Sequence, residues 1–222
     1  MNGLLFNDWS TLPFVVLALV ISFTIHEFAH AYTAYKFGDP TAYQLGRVSL
    51  NPMVHLDLLG SIMMLLAGIG WAKPVPVNPG YFKNPRAMTI AVTAAGPLSN
   101  LVLAFLSLLL YALIQHFGWM DTLSKGSILA INVFFSKMVI INLSLLLFNL
   151  IPIPPLDGYR IVQELLPLQL NVRLQRFEQW AFIIMLLLLY IRPLRQITLD
   201  PYFSLINNIY QSMLIPIGWI LG

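Results

Sequence analysis

The stretch FVVLALVISFTIHEFAHAYTAYKF, residues 14–37, places a metal-ligand spacing inside an apolar run long enough to cross a membrane. A bilayer core of about 30 Å needs roughly 20 apolar residues in a helix. Ser10, Thr11 and Pro13 just ahead of the run suit a helix start. Within it stands His26-Glu27-Phe28-Ala29-His30. Residues four apart share a helix face, so His26 and His30 can bind one metal ion together. Glu27 can reach water held by that ion and act as general base. Three ionisable side chains in the middle of an apolar helix are costly in lipid and rarely occur without a partner or a function. A metal site is favoured over histidines that only hydrogen-bond to neighbouring helices.

The whole chain agrees with lipid as its solvent. Of 222 residues, 58% are hydrophobic and 9% charged, where a soluble domain carries about 25% charged residues. Mean hydropathy is +0.77, so this is read as an all-α polytopic membrane protein. A net charge of +3 without like-charge runs gives no sign of a nucleic-acid partner. The absence of cysteine excludes disulfides and thiolate metal sites. Asn2 and Asp8, not a basic region, precede the first run, which outlasts a signal peptide and is expected to be a retained span.

Further spans are expected at Met88–Ile114, interrupted by Gly96 and Pro97, and at Ile128–Ile151, which carries Lys137 and three asparagines. The second of these ends at Pro152, Pro154 and Pro155. Phe177–Ile191 is short for a span unless it starts at Asn171. Phe203–Leu221, with Asn207, Asn208 and Gln211, either crosses or lies in the interface. Between the first two core helices, Gly38–Arg86 holds Arg47-Val48-Ser49-Leu50-Asn51-Pro52, an apolar piece from Leu56 to Ile69, and the proline-spaced Ala72–Pro79, which suits an extended segment. One membrane domain, 1–222, is expected, with its core at 14–158 and a C-terminal helical region at 159–222.

A catalytic zinc usually has three protein ligands and a water. His55, His116, Asp57 and Asp157 are candidates for the third. Asp157 follows the helix break in Asn149-Leu150-Ile151-Pro152-Ile153-Pro154-Pro155-Leu156-Asp157-Gly158, where the prolines stop the helix and Gly158 permits a turn back into the bundle. Read blandly, Leu156-Asp157-Gly158 is a polar turn at a membrane exit. His26 lies about 18 Å into a helix starting near Phe14, in the second half of the crossing. It can share a metal with Asp157 only if the first and third spans run the same way, which requires Leu56–Ile69 to be re-entrant. A re-entrant piece puts eight of the twelve Lys and Arg on one side and three on the other, with Lys137 inside a span. A full crossing gives six against five. The positive-inside rule therefore predicts an external N-terminus and a metal nearer the cytoplasmic face.

Taken together, His26–His30, Gly46–Pro52, Ala95-Gly96-Pro97-Leu98-Ser99-Asn100 and Asn149–Gly158 resemble the site-2 protease family of intramembrane zinc metalloproteases. The likeness is to the small prokaryotic members without a PDZ domain. The resemblance implies one Zn2+ per chain held by His26, His30 and Asp157, with Glu27 as catalytic base. It also implies a three-helix catalytic core in a prokaryotic cell membrane, and transmembrane segments of other membrane proteins as substrates. Asn149 could donate to the oxyanion or substrate carbonyl, or bind a neighbouring helix; the resemblance tips it toward the substrate. Asn100 is expected to support the site through a hydrogen bond. His55 could assist the site or the substrate, or be simply interfacial, and His116 reads as a solvated loop residue. Gly96 and Pro97 are read as helix packing. Arg47–Leu50 or Lys73–Pro79 could offer backbone groups to an unwound substrate, or be plain interfacial loops. A metal transporter and a non-catalytic membrane-protein binder are the competing classes. Such binders usually lose a ligand or the glutamate, and here all four residues are present. Oligomeric state and substrate identity stay open.

Overall fold

A computed structural model describes residues 9–222 except 58, 61, 62 and 64–69. Three helices among the described residues are long and apolar enough to cross a membrane: α1 (Leu12–Lys36), α3 (Pro85–His116) and α4 (Lys125–Asn149). A four-residue helix α2 (Thr41–Gln44) follows α1. Prolines open α1 and α3, where the missing N–H costs nothing. Asn84 and Ser124 accept from the Ala87 and Ser127 N–H groups and so cap α3 and α4.

Polar contacts fix the helix directions. His30 meets the Val92 carbonyl while Ser22 and His26 meet Asn100, so α3 is antiparallel to α1. Asn100 pairs with Asn142 and Tyr111 with Asn132, so α3 is antiparallel to α4 as well. Therefore α1 and α4 run the same way, as a metal shared by His26 and Asp157 requires. Ala34, Phe82 and Val92 form one buried cluster with Phe37 and Met88 against it. The chain thus leaves α1 and enters α3 at the same end. Most of Leu56–Ile69, the piece expected to be re-entrant, lies outside the described residues.

The two arms of this connection lie side by side. The Lys73 N–H donates to the His55 carbonyl at 2.7 Å, and Leu56 and Ala72 form an antiparallel bridge. The buried Arg47 guanidinium donates to the carbonyls of Lys73 and Pro74. Lys73–Asn78 forms neither helix nor strand, and its prolines have no N–H with which to build a ladder. Arg47–Leu50 bends instead of running as a strand.

Beyond α4 come α5 (Asp157–Leu165), α6 (Leu168–Gln175), α7 (Glu178–Tyr190), α8 (Arg192–Ile197) and α9 (Leu199–Leu221). At 13 residues α7 is about 20 Å long, too short for the bilayer core. Glu178 near its start accepts from the Tyr159 hydroxyl, and Met185, Leu188 and Leu189 pack on Ile151, Leu156 and Leu199. Both halves of α7 therefore sit at the Asp157 end, and 177–191, short for a span, does not run the length of the bundle. From that end α9 runs back along α4. The Tyr202 hydroxyl donates to the Leu147 carbonyl, and Met213 and Ile217 share a cluster with Ala104, Leu108, Val139, Leu143 and Leu146. Arg192 and Arg195 consequently move to the Asp157 side, and the split of eight against three becomes ten against one, Lys125.

Because the chain has no cysteine, single-cysteine variants report this arrangement without background. Lys83→Cys and Arg192→Cys should react with a membrane-impermeant thiol reagent from one side of sealed vesicles, and Lys125→Cys from the other. Reaction of Arg192→Cys together with Lys125→Cys would mean that α7 crosses.

Candidate metal centre

One turn of α1 presents two imidazoles whose inner nitrogens are already committed. Nδ1 of His26 lies 2.7 Å from Oδ1 of Asn100, and Nδ1 of His30 lies 2.8 Å from the Val92 carbonyl. Both partners are acceptors, so each Nδ1 carries the proton and each Nε2 keeps a free electron pair. The two Nε2 atoms are 3.0 Å apart. Asp157, the first residue of α5, brings Oδ2 to 3.1 Å from Nε2 of His26 and 3.3 Å from Nε2 of His30. Asp157 adds the negative charge that an aspartate ordinarily carries at neutral pH.

With each imidazole proton on Nδ1, three electron-pair donors from two buried histidines and a half-buried aspartate converge, and Asp157 Oδ2 has no hydrogen-bond donor. A cation resolves that repulsion. Metal–ligand bonds of about 2.0–2.1 Å in a tetrahedron put donor atoms about 3.3 Å apart, and the observed edges of 3.0–3.3 Å match. Two imidazoles and a carboxylate form a donor set that suits zinc.

Two glycines make room for this centre. A Cβ on Gly96 would stand 2.3 Å from Nε2 of His30 and 2.6 Å from Nε2 of His26. Gly96 therefore does more than let helices pack: its missing side chain is part of the metal cavity. A Cβ on Gly158 would meet the Leu150 carbonyl oxygen at 2.3 Å. Its φ is not positive, so close approach to the end of α4, not turn freedom, explains glycine beside Asp157.

Glu27 is half-buried in the same turn of α1. Ala31, one turn further on, packs with Ala42 and Val75 beneath Val48 and Val77, which sets the loop arms over this face. Arg47 in the first arm interacts electrostatically with Glu27. Asn100 is fully buried and touches His26 directly. Asn149 ends α4 half-buried, with its amide donating to the Leu145 carbonyl at 3.0 Å. His55 is fully buried within the loop, its Nε2 donating to the Ser49 carbonyl. Asp57 accepts from the Gly60 N–H, and His116 is exposed at the end of α3. Neither these two nor His55 joins the cluster. Sequence reading missed the Val92 carbonyl, Asn142 and the buried Arg47. A backbone acceptor leaves no trace in the residue alphabet, whereas Asn142, polar in mid-span, was a visible signal.

Spanning helices enclosing a His-His-Asp centre define an intramembrane metalloprotease scaffold. The pattern of Peptidase family M50 matches residues 14–134 and 122–191. "Putative zinc metalloprotease YwhC" of Bacillus subtilis (strain 168) is 44% identical, over 96% of this chain and 100% of its own. "Putative zinc metalloprotease Rip2" of Mycobacterium tuberculosis (strain H37Rv) is 31% identical over 85% and 69%, respectively. "Putative zinc metalloprotease MJ0611" of Methanocaldococcus jannaschii is 29% identical over 71% and 74%. No solved structure matches. The chain belongs to peptidase family M50 and is an intramembrane zinc metalloprotease of the site-2 protease kind.

Gly96→Ala should abolish zinc retention in folded, purified protein, because the new methyl occupies the cavity and α3 cannot retreat without breaking the Asn100 contacts. Metal content by atomic absorption checks this; wild-type zinc in the variant would show the close approach to be dispensable.

Proposed function

We propose that His26, His30 and Asp157 hold one zinc ion and that Glu27 is the base in peptide-bond hydrolysis inside the membrane. The observation that carries this is the convergence of ligand atoms from His26, His30 and Asp157, two of them on a membrane-spanning helix and the third just past the end of another. Three protein donors leave the fourth position of a tetrahedral site for water or substrate. The ion, when bound, polarises the scissile carbonyl and lowers the pKa of its water from about 15.7 to near 7. Glu27 takes the proton of the attacking water and delivers it to the leaving amide nitrogen.

The other polar residues position these groups. Asn100 orients His26. Asn149 spends one amide proton on Leu145, and the other is offered to the substrate carbonyl as negative charge develops there. His55 serves the site through the loop, tying Ser49 to the arm that reaches Lys73. The substrates are transmembrane segments of other membrane proteins. Their peptide bonds are sheltered by helical hydrogen bonds, so they must unwind locally. Lys73–Asn78, irregular and partly exposed, supplies backbone groups to the opened chain. The ten-to-one distribution of Lys and Arg supports a catalytic end at the cytoplasmic face of a prokaryotic cell membrane.

The test is zinc content and cleavage of a tagged single-span protein in proteoliposomes. Glu27→Gln should keep about one zinc while cleavage falls by at least about 10²-fold; Asp157→Ala should lose both. Full zinc in Asp157→Ala would remove the aspartate from the ligand set. Zinc flux that survives Glu27→Gln would favour a transit site over a protease.

A further inference from the structure

We infer that Asn142, which hydrogen-bonds to none of the three proposed metal ligands, positions the zinc site by setting which nitrogen of His26 carries the proton. The inference follows the polarity of one buried chain of hydrogen bonds. It begins at the Met138 carbonyl, which can only accept. Asn142 donates to it through Nδ2 at 2.7 Å. The amide of Asn142 is thereby oriented, and its Oδ1 must face Asn100, whose Nδ2 donates to it at 2.9 Å. Asn100 is oriented in turn, so its Oδ1 faces Nδ1 of His26 at 2.7 Å. His26 therefore holds its proton on Nδ1 and keeps the Nε2 electron pair free for the metal.

Both asparagines are fully buried, so water cannot replace either partner. A flipped amide at position 142 would set two carbonyl oxygens against each other at the Met138 end. A flipped Asn100 would offer an N–H to Nδ1 and favour the tautomer with Nε2 protonated, which cannot bind a metal. The Ser22 carbonyl asks for the same Asn100 orientation, but at 3.4 Å it does so more weakly. His30 needs no such relay, because the Val92 carbonyl fixes its tautomer directly. The two ligands are thus held by different means: one by backbone, the other by two side chains that link α1, α3 and α4.

The inference rests on His26 being a zinc ligand, and the experiment separates the two ideas. Three variants are compared with wild type: Asn142→Ala, which removes the acceptor; Asn142→Asp, which as the neutral acid donates its O–H to the Met138 carbonyl and keeps an oxygen toward Asn100; and Leu143→Ala, which opens a buried apolar cavity on the same helix. Zinc affinity is measured by competition with a chelating dye. The His26 tautomer is read from imidazole nitrogen shifts in 15N-labelled, metal-free protein.

Asn142→Ala is expected to weaken zinc binding about ten- to a hundredfold and to show protonation shifting to Nε2 of His26. Asn142→Asp and Leu143→Ala should each stay within about threefold of wild type, with the proton on Nδ1. An unchanged tautomer in Asn142→Ala, or an equal zinc loss in Leu143→Ala, would overturn the relay and leave Asn142 a packing residue. If wild type holds the Nδ1 tautomer and binds no zinc, the ligand assignment fails while the polarity of the chain stands.

Discussion

The arrangement at the catalytic end depends on how closely α3 passes α1. Helices in lipid gain little from burying apolar surface against one another, so association rests on close packing and internal hydrogen bonds. At Gly96 the backbone of α3 comes within a Cβ's reach of both imidazoles. That closeness lets the Val92 carbonyl and the Asn100 amide, on the turns either side, reach the Nδ1 atoms of His30 and His26. A larger residue would push the helices apart and break both bonds together. The motif on α1 is therefore only half of a ligand pair; the other half is a groove cut into α3.

Much of this was legible in the residues, and for physical reasons. Histidines four apart must share a helix face, and a carboxylate past a proline-ended span can meet them only if two spans run in parallel. The structure has that parallel pair, enforced by α3 lying antiparallel to both. The all-helical membrane architecture followed from composition, because so few charges cannot cover a surface in water. Resemblance to known motifs added the aspartate's role, which spacing alone left balanced against a simple turn.

What the sequence concealed falls into two kinds. The first is backbone chemistry: the Val92 carbonyl, and the tight fit of Gly158 against Leu150 that looked like turn freedom. The second is the path of the C-terminal region. Phe177–Ile191 has the hydropathy of a membrane segment, and only tertiary contacts reveal that both ends of α7 stay near Tyr159 and Leu199. Hydropathy measures affinity for lipid, not direction through it. A helix lying across the end of a bundle satisfies the same apolar pattern as one that crosses.

The proposed ligands also stand far apart along the chain: His26 and Asp157 are separated by about 130 residues. An ion held by both would clasp a loop that takes in α3, α4 and the connection from α1 to α3. Closing a loop of that length has an entropic cost that local contacts near Asp157 must otherwise meet alone. Beyond the break at Pro152, α5 leads into α6 and α7, so the clasp proposed for the reactive centre would also anchor the C-terminal third, and its loss would loosen architecture and chemistry in one stroke.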